Sequence, residues 1–177
     1  MKLKLLPKFI LSLGILGAIL TIAVSLFSYQ SSKGHLEEMY AQRIISGSKS
    51  VATLLDINDI RTIIGPGGEK SEAYSRVEQM LNRVKKDSNV TYLSLVVPDE
   101  DSVTFYVDAC VEEMGDDPEG KLLYGTDVLY TDAANGEEDL QKYYQIWHLY
   151  AQNKGTEEPL VTDNRYGYNY TAVAPVL

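Results

Sequence analysis

An uncharged apolar segment near the N-terminus constrains this chain more than any other feature. Residues 9–27 read FILSLGILGAILTIAVSLF and contain neither a charged residue nor a proline. As a helix that rises about 1.5 Å per residue, the segment spans roughly 28 Å, close to the hydrocarbon thickness of a bilayer. The sequence therefore predicts a transmembrane helix at 9–28 rather than a helix buried in a soluble core.

The charges beside this segment predict its direction across the membrane. Lys2, Lys4 and Lys8 are the charged residues of the first 28, and all three precede the apolar run. The positive-inside rule predicts a cytoplasmic N-terminus at 1–8 and an extracytoplasmic location for the rest of the chain. The alternative is a cleaved signal peptide with AVS at 23–25 as its cleavage site, but the apolar run is longer than the usual 7–15 residues.

The remainder of the chain is acidic. The three N-terminal lysines belong to 16 basic residues, so the rest carries 13 basic and 25 acidic residues, a net charge of −12. That balance argues against nucleic acid and against a domain lying flat on anionic lipid. Cys110 is the single cysteine, which excludes an intrachain disulfide and favours a bacterial cell surface over a eukaryotic secreted domain.

Helical patterns come first in the exported part. Residues 29–56 predict a membrane-proximal helix, since apolar residues recur there at helical spacing. Residues 56–60 predict a break with a short cap and turn, and GPGG at 65–68 predicts a loop. A second amphipathic helix is predicted at 71–86, with Ser71 as its N-cap.

Strand patterns then follow. Residues 91–97 and 103–107 predict an antiparallel hairpin with a five-residue loop at 98–102. The alternation in the second strand predicts Val103, Phe105 and Val107 on one face and Thr104, Tyr106 and Asp108 on the other. A helix is predicted at 135–150 and a strand at 166–176, so the fold class is α+β with an antiparallel sheet.

Residue patterns that signal catalysis are scarce. His35 and His148 do not stand in a metal-binding spacing, and Cys110 lacks a basic neighbour that would activate a thiolate. The glycine-rich stretch at 65–70 lacks the phosphate-loop pattern. We predict no catalytic residue, no metal ligand and no cofactor, and we expect this chain not to be an enzyme.

Aromatic composition is the remaining signal. Ten of the thirteen tyrosines and the only tryptophan lie after residue 90. Tyrosine offers an apolar face and a polar tip, which suits small ligands that are part apolar and part hydrogen-bonding. The alternative interpretation is ordinary packing on a half-buried sheet.

The order of elements resembles a known family. The span, the long outer helix, the second helix, YLSLVVPDEDSVTFYVDA at 92–109 and the closing YGYNYTAVAPVL at 166–177 together look like the extracytoplasmic Cache domain, a PAS-like sensor of bacterial receptors. The resemblance covers residues 31–177 and implies a PAS-like sheet domain at 57–177. It also implies a ligand-driven signal to a cytoplasmic output, such as a chemotaxis domain, a histidine kinase or a cyclic-dinucleotide enzyme.

The resemblance also implies a ligand site on the sheet face opposite the long helix. The candidate ligand-binding residues are Tyr92, Tyr106, Asp108, Tyr124, Trp147, Arg165, Tyr166, Tyr168 and Tyr170. Asp108 would suit an amine and Arg165 a carboxylate, so the expected ligand is an amino acid or a small organic acid.

Family members typically continue after a segment like 172–177 with a last strand and a second span, so we expect the domain to be incomplete at its C-terminus. We also expect a homodimer, because such signals are read between paired helices. The alternative function is a membrane-anchored surface enzyme or adhesin that binds a polymer.

Overall fold

The fold begins with one long helix. The computed structural model describes residues 5–164 and 167–176, and α1 (Leu5–Leu54) runs through the first 50 of them without interruption. The chain divides into two compact units, Met1–Tyr40 and Ala41–Leu177. The predicted helix at 29–56 is thus the direct continuation of the apolar segment.

The first unit exposes its apolar side chains. The large apolar side chains of residues 9–27 are between 53 % and 75 % exposed. Two hydroxyls within the segment bond to the helix itself, since Ser12 Oγ donates to Phe9 O at 2.9 Å and Thr21 Oγ1 donates to Gly17 O at 2.9 Å. By length and composition this stretch of α1 is able to cross a membrane.

The second unit contains the end of α1 and a short helix that follows it. Helix α2 (Ile57–Ile64) begins at Asp56, whose carboxylate accepts a hydrogen bond from Asn58 N at 2.8 Å. Ile60 and Ile63 are buried. The sequence prediction of a turn here is wrong, because the Asp56 cap and the apolar spacing that follows it support two turns of helix.

Helix α3 follows a tight connection at Gly68–Lys70. α3 (Glu72–Ser88) begins where predicted, with Ser71 Oγ accepting from Tyr74 N at 3.1 Å. It ends at Asn89, whose φ of 52° is a left-handed C-cap conformation. The predicted helix and its N-cap are confirmed.

The predicted hairpin is also confirmed. β1 (Ser94–Pro98) and β2 (Ser102–Asp108) pair antiparallel, and β3 (Thr126–Leu129) pairs with the other edge of β2. Among the described residues the order of this sheet is β1-β2-β3, so β1 has a free edge. The four residues of β3 were missed because so short a run carries little periodicity.

A β-bulge interrupts the predicted alternation of β2. Leu95 pairs with Val107 while Val96 pairs with Phe105, so Tyr106 is an extra residue without a partner on β1. Leu95 and Val96 are consecutive on β1, so their side chains point to opposite faces of the sheet. Because paired residues share a face, their partners Val107 and Phe105 also lie on opposite faces. The prediction that they share one face is wrong, and Tyr106 packs against the same core as Val107.

The remaining elements complete a mixed fold. α4 (Tyr130–Ala133) follows β3, and α5 (Glu137–Ala151) confirms the helix predicted at 135–150. β4 (Leu160–Asn164) pairs antiparallel with β5 (Gly167–Thr171) in a separate sheet. β4 was missed, and the strand predicted at 166–176 ends at Thr171. The α+β class with a small antiparallel sheet is confirmed.

The core lies between the helices and the hairpin. α1 contributes Val51, α2 contributes Ile60 and Ile63, and the hairpin contributes Leu95 and Val107. The remaining buried members of this cluster are Ala73, Val77, Leu81 and Ala109. The last turns of α1 are therefore part of the hydrophobic core of the second unit.

Candidate functional site

A cleft of about 330 Å³ lies beside the core of the second unit. We call it the aliphatic cleft, because most of the side chains that line it are aliphatic. Its walls come from the end of α1, from α2, from β1, from the end of α5 and from the segment 172–176. The lining residues are Ser48, Val51, Ala52, Leu55, Ile57, Ile60, Ile64, Leu81, Leu93, Ser94, Leu95, Val96, Val97, Pro98, Ile146, Tyr150, Asn153, Lys154, Ala172, Val173, Ala174, Pro175 and Val176.

The cleft has an unpaired sheet edge along one side. Every residue of β1 lines it, and β1 pairs with β2 along its other edge. Val51 on α1 is 7 % exposed and belongs to both the core and the cleft wall. A change at the cleft therefore bears directly on the packing of α1 against the sheet.

The C-terminal wall is fixed by a pair of hydrogen bonds. Thr156 N donates to Val173 O at 2.9 Å, and Val173 N donates to Thr156 Oγ1 at 3.1 Å. Thr156 is buried, and a Cβ added at Gly155 would lie 2.8 Å from Val173 O. Gly155 is thus required for the close approach that holds segment 172–176 beside the cleft.

The cleft wall contains a single charged side chain among the described residues. Among the described residues that line it, Lys154 carries the only charge, and no carboxylate of the described chain is paired with it. Lys154 follows Asn153, whose φ of 55° lies in the left-handed region just after α5. The remaining polar residues of the lining are Ser48, Ser94, Tyr150 and Asn153, of which Ser48 and Ser94 donate their hydroxyls to Ile45 O and Asp108 Oδ1.

The predicted tyrosine site contains a packed cluster on β2. The Tyr106 and Tyr124 rings meet edge to face at 5.4 Å between centroids, and Tyr124 meets Tyr74 of α3 at 6.2 Å. The Tyr124 hydroxyl donates to Ile63 O at 2.6 Å. Burial raises the pKa of Tyr124, and its polar tip is engaged by the chain itself. This cluster joins β2 to α2 and α3.

Asp108 is likewise engaged by its own chain. Its Oδ1 accepts from Ser94 Oγ at 2.6 Å, and its Oδ2 accepts from Leu122 N at 3.1 Å. The carboxylate is half-buried and joins both strands of the hairpin to the loop before β3. A ligand amine at Asp108 would compete with these two bonds.

The other predicted site residues lie apart from this cluster. Tyr92 and Tyr168 are 60 % and 62 % exposed, and Tyr168 contacts Tyr170 edge to face on β5. Trp147 on α5 lies 5.8 Å from Tyr150, which lines the aliphatic cleft. Arg165 and Tyr166 lie outside the described residues.

None of the described members of the predicted set lines the aliphatic cleft. Their role in binding a ligand stays a prediction, as does the site on the opposite face of the sheet. The cleft residues were missed because an aliphatic side chain carries no signal that separates a pocket wall from an ordinary core. The only sequence signal was the run of small apolar residues at 172–176.

A buried ion pair shapes the loop after β2. Lys85 is 2 % exposed, and its Nζ donates to Asp116 Oδ2 at 2.6 Å and to Ala109 O at 3.0 Å. Asp116 Oδ2 also accepts from Val111 N at 2.6 Å. The bond from Lys85, together with that from Val111, lowers the pKa of the Asp116 carboxyl. α3 thereby holds the segment 109–116 in place.

Cys110 lies beside this ion pair. It is half-buried, its backbone N donates to Asn82 Oδ1 at 3.0 Å, and burial raises the pKa of its thiol. A thiol with a raised pKa is mostly protonated at neutral pH and reacts slowly. Among the described residues, no group of three or more His, Cys, Asp or Glu side chains is placed to hold a metal ion.

Comparison with known proteins found no relative of this chain. The chain matches no protein-family model, no curated protein and no solved structure. The proposals below therefore depend on the sequence pattern and on the geometry of the described residues.

Proposed function

We propose that this chain is the extracytoplasmic ligand-sensing module of a bacterial signal-transduction receptor, built as a Cache-type domain on a transmembrane helix. The observation that carries the proposal is the continuity of α1. Its N-terminal part is apolar and exposed, while its last turns contribute Val51 to the core and line the aliphatic cleft. One helix therefore joins a stretch suited to a membrane with the wall of a ligand-sized cavity.

This arrangement supports a simple route for a signal. A ligand that favours one packing of α1 against β1 shifts the population of that packing by its differential affinity. Since α1 is one uninterrupted helix from Leu5 to Leu54, a change in how its last turns pack at the cleft is the step that the proposal passes along the helix. The module works as a homodimer, in which neighbouring copies of α1 convert such a shift into a change of contact.

The direction of the chain is tested by labelling in intact bacterial cells. Cys110→Ser removes the native thiol, and single cysteines then replace Lys8 before the apolar stretch or Ser31 after it. We expect a membrane-impermeant maleimide to label the Ser31→Cys variant and to label the Lys8→Cys variant only after the cells are permeabilised. The reverse pattern would contradict an extracytoplasmic sensor.

Sensing itself is tested by thermal unfolding of the full chain in amphipol. The probes are the twenty amino acids and straight-chain organic acids at millimolar concentration. A ligand present at 100 times its Kd stabilises the folded state by about 2.7 kcal/mol, so a true ligand raises Tm in a concentration-dependent way. If none of these probes raises Tm, the expected ligand class is wrong and the sensor proposal falls with it.

A further inference from the structure

We propose that the aliphatic cleft binds a medium-chain monocarboxylate of about eight carbons, with its alkyl chain between α1 and β1 and its carboxylate at Lys154. The inference deepens the proposed function, on which its role in sensing rests, and it names a ligand chemistry that the predicted tyrosine site does not provide. The structure supports it through the chemistry of the lining, the size of the cleft and the position of one unpaired cation.

The lining selects an alkyl chain. The walls that face each other are Val51, Ala52 and Leu55 of α1, the residues of β1, and the segment 172–176. No carboxylate stands among the described lining residues, so an ammonium group would lose its hydration without gaining a partner. A free amino acid is thereby disfavoured in this cleft, whereas methylene groups gain from leaving water.

The volume limits the length of that chain. A methylene or carboxylate atom needs about the 30 Å³ that a water molecule takes in the liquid. The cleft of about 330 Å³ therefore admits roughly ten such groups. Octanoate, which has eight carbons and two oxygens, matches this number.

Lys154 supplies the complementary charge. It lines the cleft, is exposed to solvent and forms no ion pair with a carboxylate of the described residues. A carboxylate placed there gains a charge-assisted hydrogen bond while staying partly hydrated. Asn153 and Tyr150 also line the cleft, and their side chains carry further hydrogen-bond donors.

Trp147 provides a local probe for the test. It is the only tryptophan of the chain, and its ring lies 5.8 Å from that of Tyr150 on the cleft wall. The full chain in an amphipol without aromatic groups is titrated with hexanoate, octanoate and dodecanoate while Trp147 fluorescence is recorded. We expect saturable binding that strengthens about fourfold per methylene up to octanoate and gains little beyond it.

Two variants and one control separate the cleft from general adsorption. Lys154→Gln should weaken octanoate binding about threefold to fivefold and leave octanol binding unchanged. Ala52→Leu places a larger side chain of α1 in the cleft and should weaken the binding of both octanoate and octanol. Lys70→Gln removes an exposed lysine that does not line the cleft, and it should change the binding of neither ligand.

The outcomes are distinguishable. The inference is overturned if octanoate binding is not saturable, or if neither Lys154→Gln nor Ala52→Leu changes its affinity. Dimerisation that abolishes octanoate binding also overturns it, because the free edge of β1 is then covered by a second copy. If amino acids raise Tm while octanoate does not bind, the sensor proposal stands and the cleft inference falls. If octanoate binds but the labelling places the domain in the cytoplasm, the cleft stands and the sensor proposal falls.

Discussion

At the scale of single residues, the most consequential contact is the bond between Lys85 and Asp116. Lys85 is 2 % exposed, and burying an ammonium group costs free energy unless it is paired; Asp116 Oδ2 lies 2.6 Å from its Nζ. The backbone of Ala109 and Val111 completes the arrangement. The neighbouring pair Lys86–Glu113 is exposed and contributes little to the free energy of unfolding.

Asp116→Asn should therefore destabilise the second unit and change its dependence on pH. Removing one partner leaves a buried charge, so we expect a loss of about 2 to 3 kcal/mol at pH 7, below the range for a fully buried pair because the Asp116 side chain is 22 % exposed. The folded pKa of Asp116 lies below the unfolded value of about 3.9. Its contribution is thus complete above about pH 5, declines as the pH falls below about 4 and is lost as the pH passes through the lower folded pKa.

Urea unfolding of the full chain, followed by Trp147 fluorescence between pH 3 and pH 7, measures this difference. Asp117→Asn is the matched control. Asp117 is exposed, and asparagine keeps an Oδ1 that can accept the hydrogen bond from Glu119 N. A difference between wild type and Asp116→Asn that stays constant down to pH 3 would show that the ion pair is not its cause.

At the scale of elements, the junction between α2 and α3 depends on a close backbone approach. A Cβ added at Gly68 would lie 1.9 Å from Ile63 O, which is backbone and cannot move away like a flexible side chain. The same carbonyl accepts the Tyr124 hydroxyl. Gly68 therefore fixes how α2 turns back onto α3 and where the Tyr74–Tyr106–Tyr124 cluster packs.

Gly68→Ala should destabilise the second unit by about 2 to 3 kcal/mol, as expected for an overpacked contact. Gly47→Ala is the control within α1, where an added Cβ meets nothing within 4 Å. Alanine in a helix interior is favoured over glycine, so this variant should be more stable by about 0.5 to 1 kcal/mol. Urea midpoints measure both changes, and equal destabilisation by the two substitutions would refute the assignment.

At the scale of the whole molecule, α1 leaves apolar side chains exposed between the apolar stretch and the second unit. Leu36, Met39 and Tyr40 are 48 %, 58 % and 53 % exposed, and their spacing places them on one helix face. Apolar surface of this kind on a helix is typical of a contact with another helix. In the homodimer proposed above, the partner of this face is a second copy of α1.

The proposed contact between two copies of α1 predicts a disulfide pattern in membranes. In a Cys110→Ser background, Met39→Cys should cross-link to itself rapidly under mild oxidation. Glu38→Cys, about 150° around the helix from the centre of the apolar face, should cross-link at least tenfold more slowly. Equal rates at the two positions, measured on non-reducing gels, would exclude a preferred helix face in the dimer.

Local sequence patterns predicted most of the helices and strands. The apolar stretch of α1, the Ser71 cap of α3, the β1–β2 hairpin and helix α5 could all be read from neighbouring residues. Each of these depends on contacts a few residues apart, where helical or alternating periodicity is a direct consequence of backbone geometry. The α2 helix was missed because its eight residues show barely two turns of that periodicity.

Long-range contacts decided the rest. The bulge at Tyr106 exists because β1 and β2 fit the core in a register that alternation alone does not specify. From its position in the helical pattern, Lys85 would be expected to face solvent, but in the structure the loop at 109–116 covers it. The aliphatic cleft joins residues from Ser48 to Val176, and no local pattern distinguishes its walls from core. The sequence by itself determined a membrane-spanning candidate, an acidic remainder of the chain and an α+β class, because these follow from composition and local period. The tertiary structure alone decided where charge is buried and where space is left, because both depend on which distant segments meet.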